Sequence, residues 1–371
     1  MKILIISFFG LHDTTPRAFR AESLFRSLKK LGHDVEFISA RTSPKKFKDP
    51  KREAPPSIIV RNLRSAIGRI LSAIVPDGKL FFEGIKLFPK INNQSIDLTI
   101  TIGLPFTVHL VTWVALRLNR FKTKHIIADY GDPFSTNPIN RTPLYSKALE
   151  RLILKNFNNI TIPVESAITA YQGILVPHGK VQIISQGFNI EQDLSSNYEK
   201  NAIPTFAYAG ALYKKIRDPS IFLEFLTKIE DDFVFHIYTD FSNTQTINIL
   251  EPYFLKLGSR MVVHDKIPRV ECLEVLSRMD FLLNFSNATQ IQAPSKVVDY
   301  VLSGRPFLNI QQESLEPKEF LRFLQRDYTS FEKPDISAFD EINVAQKFVR
   351  LAQCEYESII PTTAYMRCKR Y

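Results

Sequence analysis

The chain has 371 residues, with 48 Lys and Arg against 38 Asp and Glu, a formal charge of +10, 44% hydrophobic residues and three cysteines. That length predicts two domains, and the apolar fraction excludes a disordered chain. Cys272, Cys354 and Cys368 form neither a disulfide framework nor a metal-ligand pattern, which points to a reducing, cytoplasmic setting.

In chain order, residues 2–7 (KILIIS) are apolar on both faces. They predict a buried parallel strand, not a signal peptide, since no small-residue cleavage site follows. The polar loop 12–17 leads into a helix over 19–31, whose Leu24, Phe25, Leu28 and Leu31 recur at helical spacing. Gly32 ends that helix and 35–38 is the next strand, which completes a βαβ unit. Much of the excess positive charge lies between 45 and 90, and from Arg61 to Lys90 it is interleaved with Ile67, Ile70, Leu71, Ile74, Phe81 and Phe82. Two readings of this amphipathic segment stand: docking on an anionic membrane surface, or packing on the core with a charged outer face. The alternation then continues with strand 97–102, helix 106–118, strand 125–128 and helix 144–156, followed by strand 159–164, helix 165–172 and strand 181–184. No apolar run approaches the roughly 20 residues of a bilayer span.

The polar, aperiodic stretch 193–202 predicts an interdomain linker, between one domain over 1–195 and another over 203–345. Strands at 205–209, 233–238, 261–264, 281–285 and 307–310 alternate there with helices at 219–229, 244–257, 269–278 and 295–303. A last helix over about 344–357, and with it the C-terminal stretch of about 350–371, is expected to return to the first domain. The predicted fold class is α/β, with two Rossmann-like domains facing each other across a cleft.

Ligands of open parallel sheets bind beyond the carboxyl ends of the strands, so candidate residues should follow strands. After 205–209 come Gly210, which permits close backbone approach, then Lys214 and Arg217, cations suited to a diphosphate. After 281–285, Pro294 and Ser295 open a helix whose free N–H groups form an anion site. Lys296 stands in its first turn, where the helix dipole disfavours a cation unless an anion is bound, and Asp299 is close enough to accept hydrogen bonds from ribose hydroxyls. In the first half, His109 stands in the first turns of a helix after a strand, and Asp129 and Asp132 follow the next strand.

Asp299-Tyr300-Val301-Leu302-Ser303-Gly304-Arg305-Pro306 resembles the acidic residue, small-residue turn, glycine and proline of bacterial two-Rossmann (GT-B) glycosyltransferases, in particular family four. The resemblance runs over nearly the whole chain through the order and spacing of its elements. It implies that Asp299 holds the donor ribose, and that Arg217 and Lys296 hold its diphosphate. It implies a nucleobase pocket around Ile267 and Pro268, an acceptor side around His109, Asp129 and Asp132, and retention of anomeric configuration. The family's second acid, eight positions before Asp299, is Ile291 here; Gln290 and Gln292 flank it and would take over its contact to the sugar. The family's glycine pair after the first strand is replaced by Asp13-Thr14-Thr15-Pro16, with Arg17 and Arg20 behind it.

The expectation is a glycosyltransferase of cell-surface polysaccharide synthesis, moving a sugar from a nucleotide-diphosphate donor to a glycan or lipid-linked acceptor. It would be cytoplasmic or peripheral at an anionic membrane surface. No cofactor or metal is implied, because cations already face the diphosphate, and no aromatic stacking cluster points to nucleic acid. The alternatives are a sugar-nucleotide epimerase of the same fold and an inactive sugar-nucleotide-binding homologue.

Overall fold

The computed structural model describes residues 1–13, 15–41, 68, 70–92, 95–136, 142–172, 174, 180–190, 198–214, 217–285, 295–311 and 316–357. Residues 45–67 of the basic segment, and both Gln290 and Gln292, therefore lie outside the described residues. The chain folds as two units, one of Met1–Gly187 with the helix Glu341–Glu357, the other of Phe188–Phe339.

The first unit is built on six parallel strands: β1 (Lys2–Ser7), β2 (Asp34–Ser39), β3 (Ser95–Ile102), β4 (Lys122–Asp129), β5 (Asn159–Ile162) and β6 (Val181–Ile183). Their order is β2-β1-β3-β4-β5-β6, so the winding reverses between β1 and β3. Ile3, Leu4, Ile5 and Ile6 are all buried, as expected of a strand covered on both faces. The helix Pro16–Lys30 starts three residues before the apolar periodicity, because Thr15 caps it by accepting from Ala18 N and Pro16 supplies a preset φ. Ala21, Leu24 and Leu28 of this helix share a core with Val344, Ala345 and Phe348 of Glu341–Glu357.

The helix Thr107–Arg117 has no side-chain cap from its own N-terminal neighbour. Asp77 substitutes from a distant segment: its carboxylate accepts from Phe106 N (3.0 Å), Thr107 N (2.7 Å) and Thr107 Oγ1 (2.6 Å). A negative charge at a helix N-terminus is favoured by the free N–H groups and the dipole.

The second unit is a five-stranded parallel sheet: β7 (Thr205–Ala209), β8 (Val234–Thr239), β9 (Met261–Asp265), β10 (Phe281–Phe285) and β11 (Phe307–Ile310). The order β11-β10-β7-β8-β9 reverses at β7. Its core is aromatic, with Phe206 stacked between Phe235 and Phe281 at centroid distances of 4.9 and 4.7 Å. A helix that the periodicity did not single out, Pro317–Leu324, closes this core through Phe320, Phe323 and Leu324. The unit begins earlier than the polar stretch suggested: Phe188 N donates to Phe339 O at 2.7 Å, and Phe188 packs beside Leu273, Val298 and Leu302. No helix among the described residues is long and apolar enough to cross a membrane.

Candidate functional site

In the second unit the winding reverses at β7, the position at which open α/β sheets bind ligands. β7 ends at Ala209, and Gly210 follows at φ 149. The helix Ser295–Leu302 comes in after β10 and is tied down by Tyr300, whose hydroxyl donates to Leu283 O (2.8 Å) and accepts from Ala209 N (3.3 Å). That anchor fixes Lys296, one turn earlier, and the adjacent Asp299 beside the end of β7.

Lys296 Nζ donates to the Tyr208 hydroxyl at 2.6 Å and lies 4.0 Å from the centre of its ring. The hydroxyl itself donates to Ala211 O at 2.9 Å, and the Arg217 guanidinium also reaches it. One neutral phenol thus gathers two cations. Desolvation, and then the charge of Arg217, push the Lys296 ammonium well below its ordinary pKa. Among the described residues no carboxylate pairs with Lys296.

Beside this pair a pocket of about 440 Å³ opens at the carboxyl ends of β7, β8 and β9. Gly210, Ile267, Lys296 and Asp299, singled out from the sequence, all line it. Arg269 and Cys272, which sequence reasoning missed, line it too. Arg269 is the first residue of the helix after β9 and holds Asp299 Oδ1 at 2.6 Å. Burial raises the Asp299 carboxyl, and Arg269 counters that rise. Burial, with help from the Asp299 charge, pushes the Cys272 thiol up to about 11. The rule that led to Lys296, a cation opening the helix behind a strand, would also have found Arg269.

Four of the described sequence-derived positions are not part of this lining. Lys214 is exposed on the loop, Pro268 precedes the Arg269–Ser277 helix as its cap residue, and Arg217 acts through Tyr208. Ser295 stands at the start of its helix.

The first unit corrects two expectations. Asp129, read as a carboxylate of the acceptor side, is 1% exposed and fully engaged. Arg17 binds its Oδ2 at 2.6 Å, Arg20 its Oδ1 at 2.9 Å, and Thr161 Oγ1 donates to Oδ1 at 2.7 Å. Burial alone would raise this carboxyl, but Arg20 and Arg17 outweigh it and hold it at about 2. Arg17 also donates to Gly103 O (2.8 Å), so the two arginines behind the loop that follows β1 fill the sheet's reversal point with an internal clamp.

His109, read as a catalytic residue, is 0% exposed, and desolvation lowers its pKa to about 3. Thr101 Oγ1 donates to Ile127 O and lies 2.7 Å from His109 Nδ1, so that nitrogen must be the donor and the proton sits on Nδ1. Nε2 is left as a bare lone pair, buried and without a partner, against Gly103. A neutral imidazole sealed in the interior shapes the turn after β3 and stacks on Tyr130 at 4.5 Å. It meets no solvent. Asp132, by contrast, is exposed and lines a second pocket, of about 270 Å³, above the ends of β3 and β4. Among the described residues no group of three or more His, Cys, Asp or Glu side chains is placed to hold a metal ion.

No protein-family profile matches the chain, and no curated protein matches its sequence. Its fold is shared with solved structures. A sucrose-phosphate synthase from Thermosynechococcus elongatus superposes with a TM-score of 0.60 at 12% identity, over 96% of this chain and 100% of that one. The lipopolysaccharide outer core galactosyltransferase WaaB, in its apo form, gives 0.53 at 11% identity, over 97% and 99%. Anabaena HepE in complex with UDP gives 0.53 at 12% identity, over the same shares. The chain is thus an α/β protein with the two-Rossmann fold of GT-B glycosyltransferases.

Proposed function

We propose that this chain is a glycosyltransferase that moves a sugar from a nucleotide-diphosphate donor to a hydroxyl of a glycan or lipid-linked acceptor. The observation that carries the proposal is the pair Arg217 and Lys296, converging on the Tyr208 hydroxyl beside a pocket at the reversal of the second sheet. Two like charges in a half-buried place repel and are poorly solvated, and a bound diphosphate relieves both penalties. In this reading the nucleotide enters the 440 Å³ pocket, with its base towards Ile267 and its ribose hydroxyls donating to Asp299.

Glycosyl transfer builds negative charge on the departing diphosphate while the sugar becomes cationic. Groups that meet that charge more strongly as the bond breaks lower the barrier. In this reading Arg217 and Lys296 do that work. The shared fold supports the reading, and so do the neighbours: HepE structures hold UDP or UDP-glucose, which makes a uridine donor the first to test. Retention of configuration, a role in cell-surface polysaccharide synthesis and a place at the cytoplasmic membrane face belong to the same proposal, on the resemblance around Asp299.

The test is release of nucleotide from uridine-, guanosine- and cytidine-diphosphate sugars, with and without a membrane-lipid extract as acceptor source. One donor should turn over faster with extract, and NMR of the product's anomeric proton reports the configuration. If Arg217→Ala and Lys296→Ala leave nucleotide diphosphate binding intact, the site is wrongly placed.

A further inference from the structure

Residues 70–92 turn one side to the core of the first unit and the other to solvent. Residues 70–74 are helical, and after a tight turn come the helix Leu80–Gly84 and the short 3₁₀ helix Ile85–Lys90. The inner side is fixed. Leu87 and Ile91 are fully buried in one cluster with Leu4, Ile6 and Phe8. A Cβ on Gly84 would meet Thr107 Cγ2 at 2.7 Å, and Lys90 Nζ donates to Ser39 O at 2.6 Å. The outer side is not the charged face that core packing alone predicts. Lys79, Phe82, Ile85, Lys86 and Pro89 are all exposed, and their spacing of three or four residues places them on one stripe. Phe82 is 51% exposed and Ile85 42%. The preceding helical piece adds Ile70 and Ile74, at 59% and 61%, and Tyr145 braces it by donating to Ile74 O at 2.6 Å. The two acids of residues 70–92 are engaged elsewhere: Asp77 caps the Thr107–Arg117 helix, and Glu83 is held by Arg41 at 2.8 Å.

Single exposed apolar side chains are ordinary on a folded surface, but a periodic stripe of large ones marks an interaction face. The lysines between them decide which partner fits. Aliphatic and aromatic groups bounded by ammonium groups, with both nearby carboxylates already engaged, match an anionic bilayer surface. The apolar groups enter the boundary between headgroups and acyl chains, while the lysine stems reach back to the phosphates. The chain's formal charge of +10 adds a longer-range attraction to the same surface.

We infer that the outer stripe of residues 70–89 docks the chain on an anionic membrane, with Phe82 and Ile85 seated below the headgroups and Lys79 and Lys86 on the lipid phosphates. The inference deepens the proposed function, on which it rests for a place at a membrane face, by naming the surface that meets the lipid. It concerns the first unit alone and needs no part of the donor pocket.

The experiment is co-sedimentation of the full chain with vesicles of phosphatidylcholine alone and of equimolar phosphatidylcholine and phosphatidylglycerol. The anionic vesicles should bind about tenfold more tightly than the neutral ones, and raised salt should narrow the gap. Phe82→Ser with Ile85→Ser, and separately Lys79→Gln with Lys86→Gln, should each weaken binding to anionic vesicles about tenfold. All four side chains are exposed, so both double variants should keep the wild-type circular dichroism and the wild-type UDP affinity by calorimetry. In Phe82→Trp, tryptophan emission should shift to the blue when anionic vesicles are added, beyond any shift of the single native tryptophan, Trp113. Vesicle binding that is absent, or indifferent to the Phe82 and Ile85 pair, overturns the inference. So does a stripe-dependent dimer formed without lipid, which would make a second copy the occupant. UDP binding lost in every form counts instead against the proposed function and leaves the vesicle result standing.

Discussion

The ammonium of Lys296 occupies the space that a side chain at Gly210 would fill: a Cβ there would lie 2.1 Å from Nζ. Gly210 also sits at φ 149, where a substituted residue is strained. Gly210→Ala should therefore push Lys296 off Tyr208 and out of reach of a diphosphate. UDP affinity by calorimetry should fall at least tenfold, about 1.4 kcal/mol. Lys296→Met should cost a similar factor, and the double variant little more than either, because both remove one interaction. Additive losses would mean that the glycine and the lysine act separately.

Proton linkage gives a second check on the same lysine. Desolvation and Arg217 hold its pKa well below the ordinary 10.5, and a bound diphosphate favours the charged form, raising it again. Binding at alkaline pH should therefore take up protons. Calorimetric titrations of UDP at pH 8.5, in buffers of different ionisation enthalpy, should show net uptake in the wild type. In Lys296→Met the uptake should vanish.

How much of this was legible in the sequence depends on what each residue faces. Parallel strands buried on both faces announce themselves as short apolar runs, and β1, β7, β10 and β11 fall where the runs do. The helix Pro317–Leu324 escaped because its apolar face needs only Phe320, Phe323 and Leu324, too few to stand out as a period. Strand-end logic reached Gly210, Lys296 and Asp299, which share one pocket. It could not reach Tyr208, an inward residue of β7 whose hydroxyl matters only because two distant side chains meet on it. Nor could it separate Asp129 from Asp132. Asp129 ends β4 and Asp132 stands three residues on, but Arg17 and Arg20 enclose the first and leave the second in solvent.

That enclosure has a stability consequence. Asp129→Asn removes the countercharge of two buried guanidiniums, and breaking a buried pair from one side costs about 3–5 kcal/mol. The variant should lower the urea midpoint sharply, while Asp132→Asn leaves it within error. The Asp129 carboxyl is depressed from 3.8 to about 2, so its contribution is present above pH 3.8 and is lost as pH falls towards 2. His109 is depressed from 6.5 to about 3, so the unfolded chain takes up that proton first. Stability should then fall from pH 6.5 downwards by up to about 1.4 kcal/mol per pH unit. Urea titrations between pH 7 and 4 measure this slope. His109→Gln, which keeps a donor for Thr101 and cannot titrate, should flatten it. An unchanged slope would place the titrating group elsewhere.

Asp299 and Arg269 form the remaining testable pair. The carboxylate faces the donor pocket with Arg269 on one oxygen, Oδ1, which leaves Oδ2 for a ligand. If that oxygen accepts from the ribose, the wild type should bind UDP several-fold more tightly than 2′,3′-dideoxy-UDP. Asp299→Ala should bind the two alike, with the loss falling on UDP. Arg269→Ala acts differently. It removes the cation that opposes the burial-driven rise of the Asp299 pKa, so the carboxyl protonates at higher pH and accepts less well. Discrimination between the two nucleotides should therefore be lost at a higher pH in this variant than in the wild type. A variant indifferent to pH would show that Arg269 only braces the helix. If the deoxygenated nucleotide bound the wild type as tightly as UDP, Asp299 would have no part in holding the ribose.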